Sequence, residues 1–255
     1  VTGGNPDLKA EQAKSYTAGL VWTPESLVKG LSLTFDYWNI EQTNVVATYG
    51  ATRKVKENSV NPELWANTVI RNPNSGAIVE VRDVFENVDR RELSGWELET
   101  RYDLKDTATG DYRIQLGVSK LEEWVDIEIR SGEESTSDIA GLVIGGDSYP
   151  ELKISGGLSW TYNNWDASWN VSYVDDLLDG DNDVMELPKV DNYMKHDIQI
   201  GYGLTNAWQS KITLGIDNLF DEEPPILAST VDGGHDPSTY SARGRYFYAR
   251  FSVSF

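Results

Sequence analysis

Apolar and polar positions alternate with a period of two over most of this chain, most cleanly at its end. Phe247, Ala249, Phe251, Val253 and Phe255 share one parity, and Tyr248, Arg250, Ser252 and Ser254 share the other. Successive side chains of an extended backbone point to opposite faces, so this is a strand with one apolar face. The stretch before it repeats the pattern, with Ile212, Leu214 and Ile216 set against Lys211, Thr213, Gly215 and Asp217. The same reading predicts strands over Ser15–Trp22, Leu31–Val46, Ile78–Leu104 (one long strand or two joined by a tight turn), Tyr112 through Val118, Leu152–Tyr162, Trp165 through Tyr173, and Tyr193–Leu204. Thr23-Pro24-Glu25 stops the first, because proline has no N–H for a ladder. Pro62 to Thr68 has the composition of one or two helical turns. The total is about nine strands, read as consecutive antiparallel neighbours.

The connections sort by length. Short ones (Thr23–Gly30, Lys105–Gly110, Asn163–Asn164, Thr205–Trp208) alternate with long ones (Ala47–Ala77, Trp124–Glu151, Asp176–Asn192, Leu219–Ser241), counting Ile78–Leu104 as one strand. Short turns at one end and long loops at the other describe a membrane barrel, whose apolar face is turned outward to lipid. A soluble β-sandwich, with its apolar face inward, fits the alternation but gives no reason for sorted loops. Aromatics crowd the strand ends: Trp160, Tyr162, Trp165, Tyr202 and Trp208. Such rings suit the girdle of a membrane interface.

Composition changes this picture at four points. No stretch reaches 18 consecutive apolar residues, so no transmembrane helix is expected. The formal charge of −19 disfavours a nucleic-acid partner. Nine Trp and 13 Tyr beside 6 Phe is a surplus of amphipathic rings, found at binding surfaces and membrane interfaces alike. Cysteine is absent, which excludes disulfide and thiolate chemistry. The first residues, Val1-Thr2-Gly3-Gly4, carry neither Met nor a signal peptide, and read as a mature product or a piece of something longer.

Candidate chemistry is sparse. His196 and His235 are the only histidines and lie far apart, and no HExxH, P-loop or GxSxG run is present, so no enzyme activity and no cofactor are expected. Asp175, Asp176, Asp179, Asp181, Asp183 and Glu186 cluster in one loop. Oxygen ligands at such spacing can hold Ca²⁺, but the run departs from EF-hand spacing and reads first as a solvated, cation-attracting loop, with no metal assigned. For substrate contact the aromatics of the loops are the candidates: Tyr49, Trp65, Trp124 and Tyr240. Aromatic faces stack on sugars, haem or flat siderophores, and equally anchor a loop by local packing.

The C-terminal run resembles the end of TonB-dependent outer-membrane receptors. The matching pieces are Gly215-Ile216-Asp217-Asn218-Leu219-Phe220-Asp221, then Pro224-Pro225, then Gly244-Arg245-Tyr246-Phe247-Tyr248, and a terminal aromatic at Phe255. Asn5-Pro6-Asp7-Leu8-Lys9-Ala10-Glu11 followed by Tyr16-Thr17-Ala18-Gly19-Leu20 is similar to the segment that opens the late strands, and Gly95-Trp96-Glu97-Leu98-Glu99 and Asp197 look like family positions. The resemblance implies an all-β fold, a transmembrane antiparallel barrel segment in which residues 1–255 are the last nine or so strands of a 22-stranded barrel. It implies that the N-terminal plug and early strands lie elsewhere, in the same or a separate chain, and that the TonB system acts through that part. Location in the bacterial outer membrane, lipid as a partner, and import of a scarce or bulky nutrient with TonB-transmitted energy follow from it. A passive porin-like channel and a soluble β-sandwich carbohydrate-binding module are the alternatives. Asn218, Leu219, Phe220, Asp221, Pro224, Pro225, Gly244, Arg245 and Phe255 are read through the family as architecture, with Phe255 as the signal for barrel insertion.

Overall fold

The computed structural model describes residues 2–130, 133–180, 188–205, 210–227 and 234–253. Nine strands follow one another in the chain: β1 Gln12–Trp22, β2 Leu31–Ala47, β3 Glu86–Thr107, β4 Gly110–Arg130, β5 Leu152–Tyr162, β6 Trp165–Val174, β7 Tyr193–Gly203, β8 Lys211–Asp217 and β9 Tyr246–Ser252. Each is hydrogen-bonded to the next, so sheet order is chain order, with β1 and β9 at the two ends of the path. The pairings from β4 to β9 are all antiparallel.

Register turns the alternation into rows. Trp160 lies opposite Ala167, Ala167 opposite Ile200, Ile200 opposite Leu214, and Leu214 opposite Ala249. Two residues along each strand, Leu158, Trp169, Ile198, Ile216 and Phe247 make a second row. On the other side of the first, Tyr162, Trp165, Tyr202, Ile212 and Phe251 make a third, beside the short turns. A slip of one residue in any pair would carry a strand's apolar set to the polar face, so the matched patterns fix the register. Trp169 (45% exposed) and Leu214 (53%) stand on strands with neighbours on both sides, and no second sheet covers them among the described residues. A β-sandwich would bury them. In a membrane barrel this face belongs to the hydrocarbon.

The opposite face is polar and cross-linked. Lys211 on β8 reaches over β7 to Asp166 on β6 at 2.6 Å. The bridge passes above Gly201, where an added Cβ would come within 2.6 Å of both partners. Tyr248 lies across Gly215 in the same way, and its hydroxyl bonds the Gln199 Oε1 at 3.1 Å. Glycine on this face makes room for long side chains to lie flat.

Several boundaries differ from the sequence reading. β4 continues to Arg130, so Trp124 sits on a strand rather than in a loop. Ile78–Val81 is not part of β3; it pairs with Val69–Arg71 in a separate hairpin. The helix of this region is Ala51–Val60 (α1), upstream of the Pro62–Thr68 stretch, which forms turns. β1 begins at Gln12, three residues before the expected start at Ser15.

Contacts divide the chain into two compact units. The first comprises residues 1–15, 40–92 and 125–137 and holds α1, the hairpin and a parallel pairing of Thr2–Gly3 with Asp83–Val84. The second comprises residues 16–39, 93–124 and 138–255. Here two long connections, those after β4 and β6, form a sheet of their own from Leu142–Ile144, Asp147–Ser148, Leu177–Asp179 and Lys189–Val190. Val143, Val174, Leu177, Val190, Tyr193, Leu227 and Tyr240 form a dry core against it.

Candidate ligand-contact loops and the strand-closing turn

The loop core of the second unit is stapled by one carboxylate. Asp236 is 2% exposed. Its Oδ1 accepts from the Ser238 amide (2.8 Å) and hydroxyl (2.6 Å), and its Oδ2 accepts from the Ser148 amide (3.1 Å). Burial opposes its ionisation, but hydrogen bonds from Ser238, Thr239 and the Ser148 amide outweigh burial and hold its pKa at about 2. The loop after β8 is thereby tied to the loop after β4. Tyr240, four residues on, is 3% exposed and meets Tyr193 edge-to-face at 5.5 Å. Its ring faces protein in this arrangement, and burial pushes its hydroxyl pKa up.

The motif after β8 is a turn closed by its own side chains. Asn218, in the left-handed region at φ 53°, is 1% exposed. Its amide donates to Asp197 Oδ1 (2.8 Å), its Nδ2 to the carbonyls of Glu222 (2.8 Å) and Arg243 (3.2 Å), and its Oδ1 accepts from the Glu222 amide (2.8 Å). Asparagine suits this place because it tolerates positive φ and brings both donor and acceptor. Leu219 donates its amide to the His196 carbonyl at 2.7 Å. Asp221, at φ 61°, accepts from the Arg245 amide at 2.6 Å, which leads the effects holding its carboxyl below the usual range. Gly244 lies against Asp221, and Pro224 shares a cavity of about 290 Å³ with Glu222 and His235, beside the half-buried Pro225. Phe220 meets His196 edge-to-face at 5.0 Å, and His196 stacks on Trp169 at 5.8 Å. The start of β9 is thus fastened to the end of β8 through Asn218 and Asp221.

In the first unit Tyr49 and Trp65 pack together at 4.9 Å. The chain's own cation lies over one face of each: Lys54 Nζ is 4.9 Å from the Trp65 ring centre and 5.8 Å from that of Tyr49. Lys54 is fully buried and ion-paired with Glu86 (2.9 Å) and Asp83 (3.2 Å). Trp65 holds φ 61°, costly for a bulky residue, and its indole N–H donates to Glu57 at 2.7 Å. Trp124, in the second unit, stands edge-to-face on Tyr149 at 4.9 Å.

Of the four aromatic candidates, Tyr49 and Trp65 pair within the first unit, and within the second Trp124 packs on Tyr149 and Tyr240 on Tyr193. Of the acidic run, Asp175 accepts from Tyr173, Asp176 pairs with Lys189 at 3.1 Å, and Asp179 is buried in the loop sheet. Asp181, Asp183 and Glu186 lie outside the described residues, as do Trp208 and Phe255. No cluster of three metal-ligating side chains occurs among the described residues. Sequence reasoning missed Lys54 and Asp236. The second had a signal: Asp236-Pro237-Ser238-Thr239 is a run in which an Asp side chain turns back on the backbone two residues on.

Residues 1–219 match the TonB dependent receptor-like β-barrel family. Comparison with curated proteins found no match. Among solved structures, a mutant of the ferric enterobactin receptor PfeA from Pseudomonas aeruginosa is 16% identical with a TM-score of 0.63, over 97% of this chain and 32% of that one. The siderophore receptor PirA from Acinetobacter baumannii is 15% identical with a TM-score of 0.63, over 100% and 33%. The copper transporter OprC is 15% identical with a TM-score of 0.56, over 99% and 34%. At such identities the likeness is one of fold. The chain spans about a third of the length of each.

Proposed function

The chain belongs to the TonB-dependent receptor β-barrel family of the bacterial outer membrane, and from that premise we propose that it is the C-terminal wall of an active importer. In this reading residues 1–255 supply the last nine of 22 strands, and a plug and the early strands complete the receptor. The receptor binds a scarce or bulky solute outside and passes it inward with energy delivered by TonB. The family consists of transport receptors, and no bond of the solute is made or broken.

The observation that carries the proposal is the folding of the long connections of the second unit. Those after β4 and β6 share a sheet, all three contribute to one dry core, and the Asp236 staple ties the one after β8 to the one after β4. A built surface of this kind serves recognition, whereas a passive pore needs only an open mouth. Trp124 with Tyr149, and Tyr49 with Trp65, are the proposed contact places; Tyr240 acts by holding the loop core. The chain's net charge of −19 disfavours a strongly anionic solute.

The test is uptake by cells carrying the full-length receptor, with labelled solutes from oligosaccharides to metal chelates. Uptake of one class should stop when a protonophore collapses the inner-membrane gradient. Uptake that continues undiminished assigns the passive channel instead and overturns the proposal.

A further inference from the structure

The two halves of the polar face spend their hydrogen bonds differently. On β6–β9 the long side chains bond one another. Lys211 pairs with Asp166 at 2.6 Å, Lys195 with Asp197 at 3.0 Å, and the Tyr248 hydroxyl donates to Gln199 at 3.1 Å. Between them the wall is made of small groups at Ser168, Gly201, Thr213 and Gly215. The charged positions of this half are Asp166, Asp197 and Asp217 against Lys195, Lys211 and Arg250, three of each sign. On β2–β5 the same face holds a recess of about 480 Å³, lined by Ser32, Thr34, Glu99 and Gln115, with Asn170 at its border on β6. Asp36, on the parity of Ser32 and Thr34, and Lys153 stand beside it. Asp36, Glu99, Gln115 and Lys153 have no side-chain hydrogen bond or ion pair among the described residues.

We propose, on the basis of the importer reading above, that the plug stays seated on the β2–β5 half during transport and that the solute passes along the β6–β9 half. A plug that fills the barrel touches both. What it loses on leaving a wall is the set of hydrogen bonds it made there, because water rehydrates both surfaces once they part. Groups already bonded within the wall have few bonds left to give the plug, so β6–β9 is the half it leaves at least cost. The open carboxylates, amide and ammonium around the recess take complementary groups from the plug, and hydrogen bonds to charged groups are the stronger kind. The recess also receives a protruding side chain or turn, which the flat β6–β9 wall does not. The cancelled charge of the β6–β9 half suits it to passage. A wall of one sign would hold a solute of the opposite sign and repel one of its own.

The test is thiol labelling in cells that carry the full-length receptor. This chain has no cysteine, and any in the rest of the receptor is first changed to serine. Ser168→Cys and Ser252→Cys report on the β6–β9 half, Ser32→Cys and Thr34→Cys on the β2–β5 half; two positions per half keep the comparison open if one variant fails to fold. A hydrophilic biotin-maleimide is added to cells in rich medium, with and without a protonophore. Labelling of Ser168→Cys and Ser252→Cys should be roughly tenfold faster with the inner-membrane gradient intact, and that of Ser32→Cys and Thr34→Cys should change by less than about twofold. Gradient-dependent labelling on the β2–β5 half that equals or exceeds that on the β6–β9 half overturns this inference and leaves the importer standing. Labelling that ignores the gradient at all four positions overturns the importer reading and this inference with it.

Discussion

Replacing Asp236 by Asn keeps the volume and removes the charge, so it isolates what the staple contributes. The carboxylate accepts two hydrogen bonds at Oδ1 from Ser238 and one at Oδ2 from Ser148, and Thr239 adds to them. Asparagine can keep the Ser238 pair on its oxygen, but its NH₂ then faces the Ser148 amide across 3.1 Å, donor to donor. The magnitude follows from linkage. The folded pKa is lowered from 3.8 to about 2, and at 1.36 kcal/mol per unit this is about 2 kcal/mol. Because the folded value is depressed, the stabilisation is complete above the unfolded pKa and is lost as pH falls from 3.8 toward 2. At neutral pH the amides of Ser148 and Ser238 should therefore exchange with deuterium roughly 30-fold faster in Asp236→Asn than in wild type. Their protection, corrected for intrinsic rate, should fall between pH 4 and pH 2 in wild type and stay flat in the variant. Exchange within twofold of wild type at neutral pH would show that the loops are held by their apolar core alone.

Three further perturbations read separate parts of the architecture in the full-length receptor. Asn218→Ala loses three side-chain hydrogen bonds and leaves a β-carbon at φ 53°, a cost of about 3–4 kcal/mol; the temperature at which the folded band disappears on a semi-native gel should drop, and Asn218→Gly should recover only the backbone share. Gly215→Ala drives Cβ into the Tyr248 ring, and should destabilise by about 1–3 kcal/mol; Tyr248→Ser in the same chain should relieve most of that, and an additive double variant would refute the close contact. Lys54→Met strips Glu86 and Asp83 of their buried partner, for about 3–5 kcal/mol; proteolysis within residues 51–82 should accelerate while the β4–β9 strands stay protected.

What the sequence made legible was whatever repeats with the period of the strand. From Tyr112 to Phe251 most apolar positions have an apolar partner across the ladder, Val171 between Gly156 and His196 being an exception, so alternation on single strands already implied the rows. The helix Ala51–Val60 escaped because the residues it buries are Lys54 and Asn58, polar groups four apart that no apolar stripe reveals. The far halves of β3 and β4 escaped for a related reason. Residues past Leu121 alternate weakly and are held by polar contacts such as Arg91–Asp126 at 2.5 Å. Tyr240 read as a surface ring because its loop is polar on both sides, and burial there is decided by partners distant in sequence.

The distribution of dry core reflects two solvents. Along the rows of β5 to β9 the apolar side chains stay exposed in the chain by itself, because lipid is the medium that takes them up. These strands need only ladder hydrogen bonds and matched register. The loops stand in water, where lipid cannot substitute for a core, so they must bury their own leucines, valines and tyrosines. That explains why Val143, Leu177 and Leu227 are almost fully buried while Leu214 and Phe247 are not. It also explains why the carboxylate staple, Asp236, lies in the loops: the connection after β8 has no strand in the loop sheet, and a buried, hydrogen-bonded charge fixes it to the connection after β4 where apolar contact alone leaves it free to slide.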